Sequence, residues 1–319
     1  MDTVITSTGA RSPIYTRDQL EQYFDRIHLP RDSREYDVSS APAQKVLEYL
    51  GLVQKFHLAA VPFENLSLHY SQHHKITLHP DELFKKIVLT PGRGGYCMEA
   101  NGLFSTVLRS LGYQLYTAGA RVNDGGGFNG WSHMISLVTI GDNKYKVDVG
   151  FGPNGSTRPL LLNHEKLVST HIAPASMRLV WKNIQENTDP AQRLWVYQHR
   201  INDNSDFQDM YCFTELEFLP NDYNVMNFFT STSPTTWFTQ KIVCAKMILN
   251  KSEELSGQVI LGDGFKRRVG GKTVEERKFK NEEERLECLK VVFGIRFSEG
   301  ERDGIKGMVS ELDAAQSGI

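Results

Sequence analysis

The hydrophobic pattern changes period at Gly112, and that change divides the chain. Before it, apolar residues recur at three- and four-residue spacing; after it they fall into short runs broken by Gly, Pro, Asn and Asp. The first 112 residues are therefore expected to be mainly helical. Thr16-Arg17-Asp18-Gln19 forms a capping box ahead of Leu20, Phe24 and Ile27. Pro42 and Pro80 are placed as the first residues of two further helices, one carrying Val46, Leu47, Leu50 and Val53, the other Leu83, Phe84 and Ile87. A fourth helix carries Phe104, Val107, Leu108 and Leu111, with Gly112 as its left-handed C-terminal residue. From Gln114 to about Phe218 the runs read as strands, among them Leu194 to His199 and Phe213 to Phe218. The remainder mixes strands, Lys241 to Leu249 and Gln258 to Leu261, with a last helix from about Glu282 to Phe293 that Gly294 closes. The fold class these elements define is α+β.

The mouth of the fourth helix reads Arg93-Gly94-Gly95-Tyr96-Cys97-Met98-Glu99-Ala100-Asn101. Cys97 therefore lies in a first helical turn, directly behind a glycine-rich bend that lets backbone approach a substrate. There the unpaired N–H groups and the positive end of the helix dipole favour a thiolate, which is the nucleophilic form of cysteine. The alternative is a small buried apolar residue, the ordinary role of a free cysteine.

A nucleophilic cysteine needs a base. His73 and His74 sit in a polar run suited to a solvated loop, and His57 lies on a predicted helix, where a core-edge role is expected. His133 differs: it opens the strand His133 to Thr139 directly after the glycine-rich run 125 to 130. Gly141-Asp142-Asn143 is a hairpin signal, and the returning strand carries Asp148. If Gly141-Asp142 form a two-residue turn, Asp148 lies opposite Ile135 and diagonal to His133 on the same face, about 7–8 Å away. A turn one residue later moves the pair to about 13 Å by strand rise. A three-residue loop sends Asp148 to the other face. Asp148 can also be read as a solvated acid beside Lys144 and Lys146, which share its face by alternation. Against that reading, Val149-Gly150-Phe151-Gly152 follows it directly. Cys97, His133 and Asp148 make a coherent nucleophile, base and orienter.

A net charge of -2 gives no reason to expect nucleic acid. No run of about 20 apolar residues is available to span a bilayer, and Met1 to Ser7 lacks a basic and apolar leader pattern. Cys97, Cys212, Cys244 and Cys288 are scattered, making neither a metal cluster nor a disulfide framework, so a reduced, cytoplasmic enzyme without metal is expected.

At these residues the chain resembles the arylamine N-acetyltransferases. Their Arg-Gly-Gly-x-Cys-x-Glu-x-Asn pattern is met by Arg93, Gly94, Gly95, Cys97, Glu99 and Asn101; their histidine and aspartate match His133 and Asp148. Tyr23 to Ile27 and Val61-Pro62-Phe63-Glu64-Asn65-Leu66 resemble two further family segments. The resemblance covers roughly residues 15 to 298 and, through Tyr96 and Met98, is similar to the fungal members. It implies a helical bundle over 1–112 with the cysteine, a central β-barrel over 113–218 with the histidine and aspartate, and an α/β lid over 219–298, around a cysteine-protease-like core. Residues 299–319, rich in glycine and small or polar residues, are expected to form a mobile tail.

The implied reaction is two-step acyl transfer from acetyl-CoA through an acyl-cysteine to small aromatic amines or hydrazines, as in xenobiotic detoxification. Malonyl-CoA is the alternative donor, since some fungal relatives prefer it. Thr230 to Phe238 resembles the family segment that lines the CoA cleft; Thr235 and Phe238, with Phe229, Asn129 and Gly130, are the candidate contacts. Thr/Ser-rich runs are also simply loops. Arg93 is a candidate structural partner of Glu99. Two other classes stay open: a papain- or transglutaminase-like cysteine hydrolase, and a catalytically silent binding protein. Oligomeric state is not specified by the sequence.

Overall fold

The helices of the N-terminal third are set by local sequence. The computed structural model describes residues 14–312. Helix α1 (Arg17–Arg26) starts at Thr16, whose hydroxyl accepts from the Gln19 N–H while the Gln19 side chain caps Thr16 in return. Such a cap stabilises by about 1 kcal/mol. Then come α2 (Ala43–Ala60), the short α3 (Pro80–Phe84, continued by a wider π-type turn over Lys85–Leu89) and α4 (Cys97–Ser110). Pro42 caps α2 rather than being its first helical residue. Leu20, Phe24, Leu50, Val53, Phe104 and Val107 close into one core, and each such side chain contributes about 1.5–3 kcal/mol by leaving water. Gly112, at φ +87°, follows the end of α4 as expected.

Two antiparallel sheets hold the strands. The helical third gives one of them a short strand, β1 (Phe63–Glu64). The larger sheet runs β2 (Gln114–Asn123), β3 (Phe128–Ile140), β4 (Asn143–Val147), β5 (Leu160–Leu161), β6 (Val168–Thr170), β7 (Ser176–Lys182), β8 (Leu194–Arg200) and β9 (Gln208–Phe213). Its spatial order is β5-β4-β3-β2-β9-β8-β7-β6. The sheet curls until β5 comes beside β7. Its edges β5 and β6 are not paired to each other among the described residues, so the expected barrel is an open, curled sheet. Strands of two and three residues are too short to close the seam.

The expected strand over Phe213 to Phe218 ends at its first residue. Phe218 instead donates its N–H to Thr117, and Pro220 opens a helix, α5 (Pro220–Thr232), followed by the single turn α6 (Trp237–Gln240). Periodicity does not announce α5 because its Val225, Phe228 and Phe229 face solvent rather than a core. The smaller sheet has the order β1-β10-β11-β12-β13, with β10 (Cys244–Leu249), β11 (Leu255–Leu261), β12 (Gly264–Val269) and β13 (Lys272–Lys278). Helix α7 (Glu282–Cys288) passes into a π-type turn over Leu289–Phe293 and stops at Gly294, φ +75°.

The mobile tail expected from residue 299 is packed as far as residue 312. Ser298 and Glu301 cap α8 (Glu299–Asp303) reciprocally, and Ile305 is buried. The Ser310 hydroxyl lies 2.7 Å from His69 Nδ1, and Arg285 donates to the Ser310 carbonyl at 2.7 Å. These anchors outweigh the glycine-rich composition that suggested disorder; residues 313–319 lie outside the described residues. No helix among the described residues is long and apolar enough to cross a membrane.

Candidate active site

Buried charges build the bend before α4. Glu64 Oε1 on β1 accepts from Arg93 Nε at 3.0 Å and from the Gly94 N–H at 3.3 Å, and its second oxygen accepts from the Leu66 N–H. Glu99 accepts from Lys86 at 2.7 Å and caps the Tyr96 N–H at 3.1 Å. Glu99 is therefore partnered by Lys86, not by Arg93, whose own partner is Glu64. Asn65 ties the same segment to the wall opposite, donating to the Phe238 and Lys241 carbonyls at 2.8 and 2.7 Å. The motif acids and amides thus fix the loop's shape.

Cys97 is the first residue of α4 and 3% exposed, so its thiol sits at the helix mouth. Its Sγ lies 3.5 Å from the Ser132 carbonyl on β3. His133 stands inside β3 rather than at its mouth, because the strand already begins at Phe128. The register between β2 and β3 shifts there: Ala120 faces His133 while Arg121 faces Trp131, leaving Ser132 as an extra residue. A bulge of this kind re-aims the neighbouring side chain. The β3–β4 hairpin takes the two-residue turn, pairing Ile140 with Asn143 and Ser136 with Val147. Asp148 consequently projects on the His133 face, and its Oδ2 accepts from His133 Nε2 at 2.8 Å. With Nε2 engaged, Nδ1 is the nitrogen left for the Cys97 thiol, which also interacts with the imidazole.

Four groups converge on the Asp148 carboxylate. Besides His133, the Tyr211 hydroxyl donates to Oδ2 at 2.7 Å, and Asn101 Nδ2 and the Gly150 N–H each donate to Oδ1 at 2.9 Å. Asn101 also accepts from the Val149 N–H and donates to the Met134 carbonyl, which sews α4 to both strands. Burial opposes the Asp148 charge, but His133, Lys146 and Asn101 hold its carboxyl well below the usual carboxylate range. Burial likewise opposes protonation of His133, yet Asp148 and Cys97 raise the imidazole to about 9. Lys146, expected on a solvated face, is wholly buried, and its ammonium donates to Ser156 Oγ and to the Tyr211 oxygen. Tyr211 comes from β9, far along the chain, and nothing in the local pattern marks it. The alternation that puts Lys146 on the face of Asp148 was legible, but its burial was not.

A cavity of about 520 Å³ opens over Cys97 and His133. Asn129, Gly130, Phe229, Thr235 and Phe238 all stand in its walls, as do Trp131, Phe151 and Trp237, which the motif comparison had not singled out. Its aromatic lining is knit by edge contacts, Phe238 meeting Phe63, Tyr96 and Trp237. The four cysteines are unpaired and buried. His57, by contrast, is fully enclosed in the helical core, 3.0 Å from the Tyr23 hydroxyl, where burial and Arg26 push its imidazole down to about 3.

Known proteins share this fold. The family model described as N-acetyltransferase matches residues 46–302. An N-malonyltransferase of Gibberella moniliformis is 37% identical, with 91% of this chain and 92% of that protein covered. Arylamine N-acetyltransferase 2 of Mesocricetus auratus is 29% identical over 86% of this chain and 93% of its own. Among solved structures, the Mycobacterium marinum arylamine N-acetyltransferase in complex with CoA aligns with a TM-score of 0.73 at 26% identity, covering 92% of this chain and 99% of that one. A cysteine at a helix mouth, facing a strand-borne histidine beneath an aromatic cleft, is here carried by a sequence that the family model matches over most of its length: the chain belongs to the arylamine N-acetyltransferase family.

Proposed function

We propose that the protein moves an acyl group from an acyl-CoA to small aromatic amines or hydrazines by double displacement at Cys97, with His133 as base and Asp148 as orienter. The observation that carries this is the His133–Asp148 hydrogen bond of 2.8 Å, which leaves the other ring nitrogen for the thiol at the floor of the cleft. In the first half, the Cys97 thiolate attacks the thioester carbonyl, the carbon–sulfur bond to CoA breaks, and the CoA sulfur takes the proton from the His133 imidazolium. In the second half, the amine nitrogen attacks the acyl-cysteine, His133 takes its proton, and the bond to Cys97 breaks. The Cys97 N–H, first in α4 and without an intrahelical acceptor, is placed to donate to the oxyanion of each tetrahedral intermediate. This arrangement supports a cysteine-protease-like core, and free, buried cysteines suit a reducing compartment such as the cytoplasm. Detoxification of foreign amines is a role that fits such an activity.

We assign acetyl-CoA as donor because, among the described residues, no Lys or Arg lines the cavity to pair with a malonyl carboxylate. Malonyl-CoA is the second reading, supported by the Gibberella relative's name. Initial rates with each donor and 2-aminophenol test both: parallel double-reciprocal lines with acetyl-CoA are expected. Turnover with malonyl-CoA alone would overturn the donor assignment. Thioester loss to water at a rate indifferent to amine would favour a hydrolase.

Gly150 supplies a separate prediction. A Cβ there would lie 2.7 Å from Cys97 Cα, 2.9 Å from the Cys97 carbonyl oxygen and 2.7 Å from Asn101 Nδ2. Backbone cannot yield as a side-chain tip can, so Gly150→Ala must push the mouth of α4 away from the His133–Asp148 pair. The acyl-transfer rate is expected to fall by about 10²-fold, the effect of an ångström-scale misplacement, while far-ultraviolet circular dichroism stays unchanged.

A further inference from the structure

No lysine other than Lys146 is buried among the described residues. Desolvating an ammonium is costly unless the protein compensates its charge. Its two hydrogen-bond acceptors are neutral hydroxyls, Ser156 Oγ at 2.7 Å and Tyr211 at 2.8 Å, and the Tyr197 and Tyr211 rings lie 4.3 and 5.3 Å from Nζ. Among the described residues no carboxylate is in direct contact with it. The path to negative charge runs through Tyr211, whose hydroxyl donates to Asp148 Oδ2 at 2.7 Å, the oxygen that also holds His133. Ammonium, phenol, carboxylate and imidazole thus form one buried chain that ends at Cys97.

We infer that Lys146 is a positioning residue for acyl transfer: relayed by Tyr211, its ammonium balances the buried charge that arises when Cys97 becomes a thiolate beside Asp148. Charge counting gives the reason. Thiolate, imidazolium, carboxylate and ammonium sum to zero; without the ammonium they sum to a net negative charge in a site nearly closed to water. The inference rests on the acyl-transfer reading for the reaction it serves, but its test needs no acyl donor.

The groups that face this chain are accounted for. Tyr197 on β8, Tyr211 on β9, Tyr96 before α4 and Tyr223 on α5 are all raised by burial and stay neutral. His171, between β6 and β7, is lowered to about 3 by burial and by His199, and is neutral as well. Burial pushes Lys146 down to about 8 against the pull of Asp148, so it is charged at neutral pH and below. Glu99, two residues beyond Cys97, is paired with Lys86, and Asp124 stands in the cavity wall outside this buried chain, so the charge of the buried chain itself is set by Cys97, His133, Asp148 and Lys146.

Alkylation of Cys97 by iodoacetate, followed against pH, tests the inference in wild type, Lys146→Met and Lys146→Gln. The acid limb reports thiolate formation. The alkaline limb reports loss of the imidazolium that attracts the probe's carboxylate. Both variants are expected to move the acid limb up by about one pH unit, the scale of one unit charge acting across several ångströms of protein, without lowering the alkaline limb. Methionine fills the buried stem without the charge, glutamine keeps a donor for Ser156 and Tyr211, and thermal melting establishes that each variant is folded, so either folded variant tests the inference alone. Unmoved acid limbs would overturn it. So would a wild-type profile in the glutamine variant, which would assign the role to the hydrogen bond rather than the charge, or a lowered alkaline limb, which would mean that Asp148 had been displaced. A wild type with no alkaline limb would instead contradict the His133–Cys97 pairing itself.

Discussion

Cys97→Ser is expected to fold as the wild type does and to lose acyl transfer by on the order of 10⁴-fold or more. The thiol's contacts are a weak 3.5 Å hydrogen bond to the Ser132 carbonyl and the His133 imidazole, and a serine hydroxyl can meet both in the same space without opening a cavity. Thermal melting should therefore shift little. The chemistry, in contrast, depends on a nucleophile that ionises beside an imidazole, and a serine hydroxyl does so far less readily than a thiol. Rates with acetyl-CoA and 2-aminophenol, measured beside the melting curve, separate the two effects. Retained transfer in a folded Cys97→Ser protein would remove the covalent mechanism.

Asp148→Asn should lower transfer by about 10⁴-fold, the loss seen when an orienting carboxylate becomes an amide and the histidine is held in the wrong tautomer. The carboxylate receives four donors, and an amide can accept only at its oxygen, so its nitrogen faces either the His133 and Tyr211 donors or the Asn101 and Gly150 donors. It also strips the buried Lys146 of its relayed countercharge, and breaking a buried charge pair costs about 3–5 kcal/mol. The pH signature has a definite sign. Asp148 raises His133 to about 9, so the imidazolium of the variant loses its proton at lower pH and the alkaline limb falls, unlike the change expected at Lys146.

Stability follows the same linkage. In the wild type the His133 contribution is complete below the ordinary imidazole value of 6.5 and is lost as pH rises through about 9. The Asp148 contribution is present above the ordinary carboxyl value and is lost as pH falls through its depressed folded value. Denaturant titrations across pH should show both slopes in the wild type; in Asp148→Asn the acid slope due to Asp148 should be gone and the His133 slope weakened.

Most of what the sequence made legible was local. The Thr16–Gln19 box and the Gly112 stop are decided within four residues and appear as read, while the Gly141-Asp142 hairpin takes the first of the three geometries that the sequence left open. The turn matters most, since its length alone determines that Asp148 shares a face with His133. Where the reading failed, the deciding contact was distant or the pattern had another cause. Helix α5 turns Val225 and Phe228 to solvent, so it carries no core-facing stripe. Ile305 and Ser310 anchor a segment whose composition suggested mobility, through partners more than 20 residues away. β3 starts at Phe128, upstream of His133, because its pairing with β2 continues past the bulge at Ser132 as far as Asn123. Tyr211 and Lys146 reached the site through a sheet register that no short window contains.

Intact-protein mass spectrometry tests the central claim most directly: the pure protein is mixed with acetyl-CoA, and in parallel with malonyl-CoA, and an aromatic amine is then added. The account predicts a single acetyl adduct on Cys97 that the amine discharges, with the acetylated amine as product. No adduct from either donor, or an adduct on a residue other than Cys97, would contradict it.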